Sequence, residues 1–154
     1  MIKFQINAIG KLKNKHILAL IDDYTARISN HLEICEFELK KTNNISIDVV
    51  KHQEAELLQS KILKNAYLVS MDETGETLTS HEFADLIEKV SKNGTSAFVF
   101  FIGGAHGLSS DIKKKSDKII SLGKITLPHM LARLILVEQI YRAEKITNNH
   151  PYDK

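Results

Sequence analysis

The chain has 154 residues, 43% hydrophobic and 26% charged, with a formal net charge of +2. That length and balance fit one soluble globular domain, spanning 1–154, with enough chain for a real core. So mild a positive charge does not by itself argue for nucleic acid. The single cysteine, Cys35, excludes an internal disulfide and a cysteine-rich metal site, and no apolar run reaches the roughly 18 residues of a membrane span.

Taken in chain order, Met1–Ile9 alternates apolar and polar residues and predicts a strand, not a signal peptide, so the cytoplasm is the expected compartment. Gly10 ends it. Lys15–His31 carries an amphipathic helical pattern through Ile17, Leu18, Leu20, Ile21, Tyr24 and Ile28. Leu32–Leu39 alternates again, and Lys40–Asn44 reads as a polar loop. Ser46 is placed to cap a helix to about Leu63. Ala66–Met71 predicts a short strand, with Asp72-Glu-Thr-Gly75 as the turn after it. Thr79-Ser-His-Glu82 fits a capping box opening a helix to about Val90, stopped by Asn93-Gly94. Ser96–Ile102 is almost wholly apolar and reads as a buried strand. Ser109 or Ser110 caps a short lysine-rich helix, Lys118–Leu122 is a further strand, and Pro128 opens a final helix to about Ile146.

Strands alternating with helices predict an α/β fold, a mostly parallel sheet flanked by helices. Ligands bind such sheets at the carboxyl ends of the strands. The small-residue bends after Met71, Ile102 and Leu122 all fall there, and one pocket between them is expected. Glycines in Gly103-Gly104 and Gly107 let backbone groups meet a ligand, although a turn that merely needs glycine explains them equally. Their spacing is neither GxGxxG nor a P-loop, so a nucleotide phosphate is not the expected ligand. The apolar loop Leu122–Leu127 suits a flat uncharged ring such as adenine, and a plain strand-to-helix connection explains it as well.

His129 stands on the first turn of the final helix, where the positive helix end favours neutral imidazole. That helix is apolar nearly all round, as expected of one buried in a core or between subunits. Glu138 and Arg142 stand four apart in the favourable order for an ion pair. Arg133, Arg142, Lys145, His150, Tyr152 and Lys154 gather basic and aromatic groups toward the C-terminus, the side chains that hold phosphates and stack on bases. A frayed polar tail is the plainer reading of the last residues. HExxH, CxxC and a nucleophile elbow are absent from the sequence, and His16, His31, His52 and His81 fit no metal spacing.

The order FIGGAHGLS, then SLGKITLPHMLARLILVEQIYRA, then NNHPYDK resembles the RlmH family of ribosomal RNA methyltransferases, the YbeA-like branch of the SPOUT superfamily. The N-terminal Ala8-Ile-Gly-Lys-Leu12 and the total length resemble that family too. The resemblance implies a SPOUT-type knotted methyltransferase fold with a C-terminal trefoil knot, an exception to the rule against threaded chains. It implies a homodimer that takes a methyl group from S-adenosylmethionine, without a metal. The implied substrate is N3 of a pseudouridine in 23S ribosomal RNA, in the large subunit of the assembled 70S ribosome, with no membrane partner. Carried onto this sequence, the donor pocket comprises Met71, Gly103 and Leu122, Gly123, Lys124, Ile125, Thr126 and Leu127. The catalytic candidates are His129, Arg142 and Tyr152, and the RNA-binding candidates are Arg133, His150 and Lys154. The chain departs from the family's usual pattern at Met71, where leucine is common, at Glu76, where lysine is usual, and at Asp153, where the family tail has histidine.

The resemblance also frames the chemistry. A sulfonium methyl is already electrophilic, whereas an imide N3–H, with a pKa of roughly 9–10 by comparison with tyrosine, must lose its proton before or during attack. Arg142 is expected to stabilise charge developing on the base carbonyls, and His129 or Tyr152 to orient the base or relay its proton. Two other readings stand beside this one: a non-catalytic protein that binds RNA or the ribosome, and a SPOUT methyltransferase acting on transfer RNA.

Overall fold

The computed structural model describes residues 1–40 and 43–153. The loop expected at Lys40–Asn44 lies partly outside them, and the RNA-binding candidate Lys154 wholly so. The elements run β1 (Lys3–Ile9), α1 (Lys15–Arg27), β2 (His31–Phe37), α2 (Ile47–Gln59), β3 (Tyr67–Thr77), α3 (Ser80–Lys92), β4 (Ala97–Ile102), α4 (Ser110–Lys115), β5 (Lys118–Ser121) and α5 (His129–Thr147). The five strands pair in parallel in the order β2-β1-β4-β3-β5. The expected α/β class with a parallel sheet is thus the observed one.

The centre of the sheet explains its apolar sequence. All six residues of β4 are buried, because helices cover both faces. Phe98, Phe100 and Ile102 point to the side packed by α1, α3 and α5, together with Ile21, Phe83, Ile87, Leu136 and Ile140. Val99 and Phe101 point the other way, onto Leu58 of α2 and Ile112 of α4.

Tertiary contacts cut two helices shorter than their patterns suggest. α1 stops at Arg27, where Ile28 turns extended at ψ 125°, and the Glu144 carboxylate accepts hydrogen bonds from the Ser29 and Asn30 amides. α2 stops at Gln59 because buried β1 side chains take over its last carbonyls. Asn7 Nδ2 donates to Leu58 O at 2.8 Å and Lys61 O at 2.7 Å, and Gln5 Nε2 donates to Lys61 O at 3.1 Å. The other caps sit where the sequence places them. Ser46 accepts from the Val49 amide, Thr79 and Glu82 form the reciprocal capping box, and Ser109 caps α4.

The segment Asp72–Gly75 is not a closing turn, as expected, but a bulge within a longer β3. Ile120 of β5 pairs with both Met71 and Glu76, and Thr77 with Ser121. Gly75 permits this: a Cβ there would lie 2.7 Å from the Ile119 carbonyl carbon and oxygen. Glu76 then pairs with Lys118 across the two strands at 2.5 Å.

Candidate functional site

The carboxyl ends of β3, β4 and β5 surround one cavity of about 590 Å³, closed by the start of α5 and reached by Lys51 of α2 and Lys113 of α4. Its size is that of a site for a cofactor-sized ligand. Of the residues expected to hold the donor, Met71, Gly103, Leu122, Gly123, Ile125, Thr126 and Leu127 line this cavity, while Lys124 is exposed and turned off its wall.

Each wall has a local cause. After β4 the chain folds back so tightly that a Cβ on Gly103 would sit 2.7 Å from the Gly107 carbonyl carbon. The Gly107 amide, in the left-handed region at φ +78°, donates to Gly104 O at 3.0 Å. After β5 the Ser121 hydroxyl accepts from the Gly123 amide at 3.2 Å and donates to Gly123 O at 2.7 Å, pinning that bend. The β3 bulge brings Asp72 to the rim. Burial opposes its charge, but the Thr74 hydroxyl and amide and the Lys113 ammonium outweigh it and hold the carboxyl below its ordinary range.

His129 opens α5, exposed at the cavity mouth, with its Nε2 facing Gly10. Arg142 lies thirteen residues further along the same helix, about 20 Å away at 1.5 Å per residue. The chain therefore does not bring its three catalytic candidates together. Arg142 and Tyr152 instead form a second cluster at the far end of α5. The Arg142 guanidinium donates to Glu138 at 2.6 Å and to Asp153 at 3.1 Å. The Tyr152 hydroxyl donates to the same Glu138 oxygen at 3.0 Å, and its ring packs edge-on against Tyr141 at 4.7 Å. Burial raises the Tyr152 pKa, and the hydrogen bonds to Tyr24 and Glu138 raise it further. In this arrangement the phenol stays protonated and acts as a donor, not as a base. The tail is consequently docked, not frayed. His150 is exposed, and its Nδ1 accepts the Tyr152 amide at 3.2 Å.

Arg133 needs correction. Expected among the RNA-facing cations, it is only 2% exposed. Its guanidinium pairs with Glu36 and donates to Gly10 O at 3.2 Å, so its charge is spent inside the fold. Glu36 also accepts the Leu12 amide at 2.7 Å. Burial works against that carboxylate, yet the amide and Arg133 together hold it below its usual range. Sequence reasoning missed this pair because its members lie 97 positions apart and no local periodicity links them. It also missed Glu138 as the shared partner of Arg142 and Tyr152, although the i,i+4 spacing gave half of that signal. Among the described residues no group of three or more His, Cys, Asp or Glu is placed to hold a metal, and no helix is long and apolar enough to cross a membrane.

Residues 2–153 match the model of a family described as "Predicted SPOUT methyltransferase". The Ribosomal RNA large subunit methyltransferase H of Flavobacterium psychrophilum is 42% identical over 149 residues, covering 94% of each chain. Among solved structures, the tRNA (m1G37) methyltransferase from Aquifex aeolicus aligns over 91% of this chain and 69% of its own, with 16% identity and a TM-score of 0.58. The SpoU methyltransferase AviRb from Streptomyces viridochromogenes, in complex with AdoMet, aligns over 94% and 58%, with 15% identity and a TM-score of 0.50. At those identities the two structures speak for a shared fold.

Proposed function

The chain belongs to the SPOUT methyltransferase family, and from that membership we propose that it is an S-adenosylmethionine-dependent ribosomal RNA methyltransferase acting on N3 of a pseudouridine in 23S RNA of the assembled ribosome. The observation that carries this reading is the cavity at three strand ends, walled by Gly103 and by Leu122, Gly123 and Ile125–Leu127 of the following loop. Its volume and its bare backbone suit a nucleoside with an amino-acid tail, and its residues fit that cofactor. Met71, Gly103 and the Leu122–Leu127 loop would hold it, and it supplies an electrophilic methyl group. The relative's name supports ribosomal RNA as the substrate class.

The protein's own part is to orient the base and favour its anion. Arg142, charged at every working pH, stabilises negative charge on the base carbonyls. Tyr152 holds Arg142 in place to meet the base, through its ring and through the Glu138 carboxylate that both side chains bond. His129, exposed at the cavity mouth, accepts or relays the proton of N3. Because about 20 Å of helix separates His129 from Arg142, the reading includes a homodimer in which the tail of one copy meets the cavity of the other. The exposed Leu131 and Ile125 beside the cavity mouth suit such an interface. The chain is read as one domain with a C-terminal trefoil knot, working in the cytoplasm.

The test is methyl transfer from labelled donor to 70S ribosomes, free 23S RNA and transfer RNA, all taken from a strain lacking the modification. Labelling of ribosomes at a pseudouridine is expected. Labelling of transfer RNA alone overturns the substrate assignment, and donor binding with no acceptor labelled leaves a binding protein. Mixing an Arg142→Ala protein with a Gly103→Val protein should restore part of the activity if the site is shared between copies.

A further inference from the structure

We propose that Glu54, behind the cavity wall at Gly104, supplies the negative charge that recognises the cationic sulfonium and ammonium end of the methyl donor. The inference rests on the donor reading above and adds to it a residue outside the strand-end bends. α2 turns Lys51 and Glu54, one helical turn apart, toward the glycine loop that follows β4. Lys51 reaches the cavity itself. Glu54 is 8% exposed, and its Oε1 has no hydrogen-bond partner among the described residues. A carboxylate left that way is costly, and buried charges ordinarily find a partner.

The wall between carboxylate and cavity is one backbone thick. A Cβ on Gly104 would lie 2.5 Å from Glu54 Oε2 and 3.2 Å from Oε1, so the carboxylate itself keeps that position free of a side chain. Gly104 in turn lines the cavity. Burial holds the Glu54 carboxyl above its ordinary range, and His106 on the same loop only partly offsets this. Of the acidic groups that line the cavity, Asp72 is already engaged by Thr74 and Lys113, and Glu73 is exposed to water on the β3 bulge, so Glu54 is the buried one without a counter-charge. A ligand with a positively charged tail would give Glu54 the counter-charge it lacks.

Calorimetry on the full-length protein tests this with S-adenosylmethionine and with 5′-methylthioadenosine, which keeps the adenosine and thioether but carries neither positive charge. Glu54→Gln preserves volume and removes charge. It should weaken S-adenosylmethionine on the order of tenfold and leave methylthioadenosine unchanged. Equal losses for both ligands, or no loss for either, overturn the proposal, the former showing that Glu54 only holds the loop. Should Glu54→Gln not fold, Glu54→Asp decides, since a shorter carboxylate should weaken the charged ligand selectively. A wild-type protein that binds neither ligand overturns the donor reading and this inference with it, whereas wild-type binding with an indifferent variant overturns the inference alone.

Discussion

The guanidinium of Arg142 lies over the ring of Tyr152, its Cζ 4.8 Å from the ring centroid, and both side chains bond the same oxygen of Glu138. Glu138 is therefore the hinge on which both catalytic candidates are aimed. Replacing it with alanine frees both without removing either. Misplacement of about 1 Å at a reacting group costs about a hundredfold in rate, and a loss of that order is expected for Glu138→Ala in ribosome methylation. Donor affinity, measured by calorimetry, should stay unchanged, because no atom of this cluster lines the cavity. Arg142→Ala should cost at least as much. Retained turnover in both variants would remove the cluster from the mechanism.

Much of this architecture was legible in the sequence, and the parts that were not share one cause. Period-two alternation in β1, the unbroken apolar run of β4, the Thr79–Glu82 capping box and the Ser46 and Ser109 caps are local signals, and each element sits where they put it. The three bends converged because strand ends in a parallel sheet must lie together. By contrast, the early stops of α1 and α2 were written by Glu144, Gln5 and Asn7, residues far away in the chain, and the β3 bulge by the close approach of β5 to Gly75. Arg133 misled for the same reason: a basic residue on a helix declares its charge but not its partner, and Glu36 lies on a distant strand.

The glycine wall offers a direct probe of the cavity. A methyl group on Gly103 would meet the Gly107 carbonyl at 2.7 Å, backbone against backbone, where neither atom can swing aside. Gly103→Ala should therefore open the loop, weaken the donor by at least about tenfold, and cost about 1–3 kcal/mol of stability as an overpacked site. Calorimetry and thermal melting read the two effects separately. Unchanged donor affinity would detach this loop from the binding site.

The Arg133–Glu36 pair, a buried guanidinium on a partly exposed carboxylate, predicts a stability effect distinct from any RNA effect. Removing Glu36 leaves the buried guanidinium without its carboxylate, which costs about 1–3 kcal/mol, less than in a fully buried pair because water reaches Glu36. Glu36→Gln is expected to lower the free energy of unfolding, read from urea denaturation, by that order. The double variant Glu36→Gln with Arg133→Met should recover part of the loss, since it leaves neither ion uncompensated. A loss in the double variant equal to the sum of two large single losses would contradict the pairing. If Arg133 met RNA instead, Arg133→Met would alter ribosome binding and spare stability.

Glu144 gives the clearest pH dependence. Its carboxylate accepts the Ser29 amide at 3.0 Å, the Asn30 amide at 3.1 Å and Asn30 Nδ2 at 3.0 Å. Burial alone would raise its pKa, but the Ser29 and Asn30 amides and Lys145 reverse that and lower it in the folded state below the ordinary value of 4.5. A carboxyl whose folded pKa is depressed adds stability that is fully present above the unfolded pKa and is lost as pH falls through the folded one. The stability difference between the wild type and Glu144→Gln should thus be on the order of 1–3 kcal/mol at neutral pH, as for hydrogen bonds to a charged group. It should begin to shrink below about pH 5 and vanish once the folded carboxyl is protonated. Chemical unfolding of both proteins across that range reads the difference directly and cancels the other carboxylates, among them Glu36 and Asp72, that titrate alike in each. A difference that grew toward low pH would mean that the amides of the α1–β2 connection do not hold the charged form.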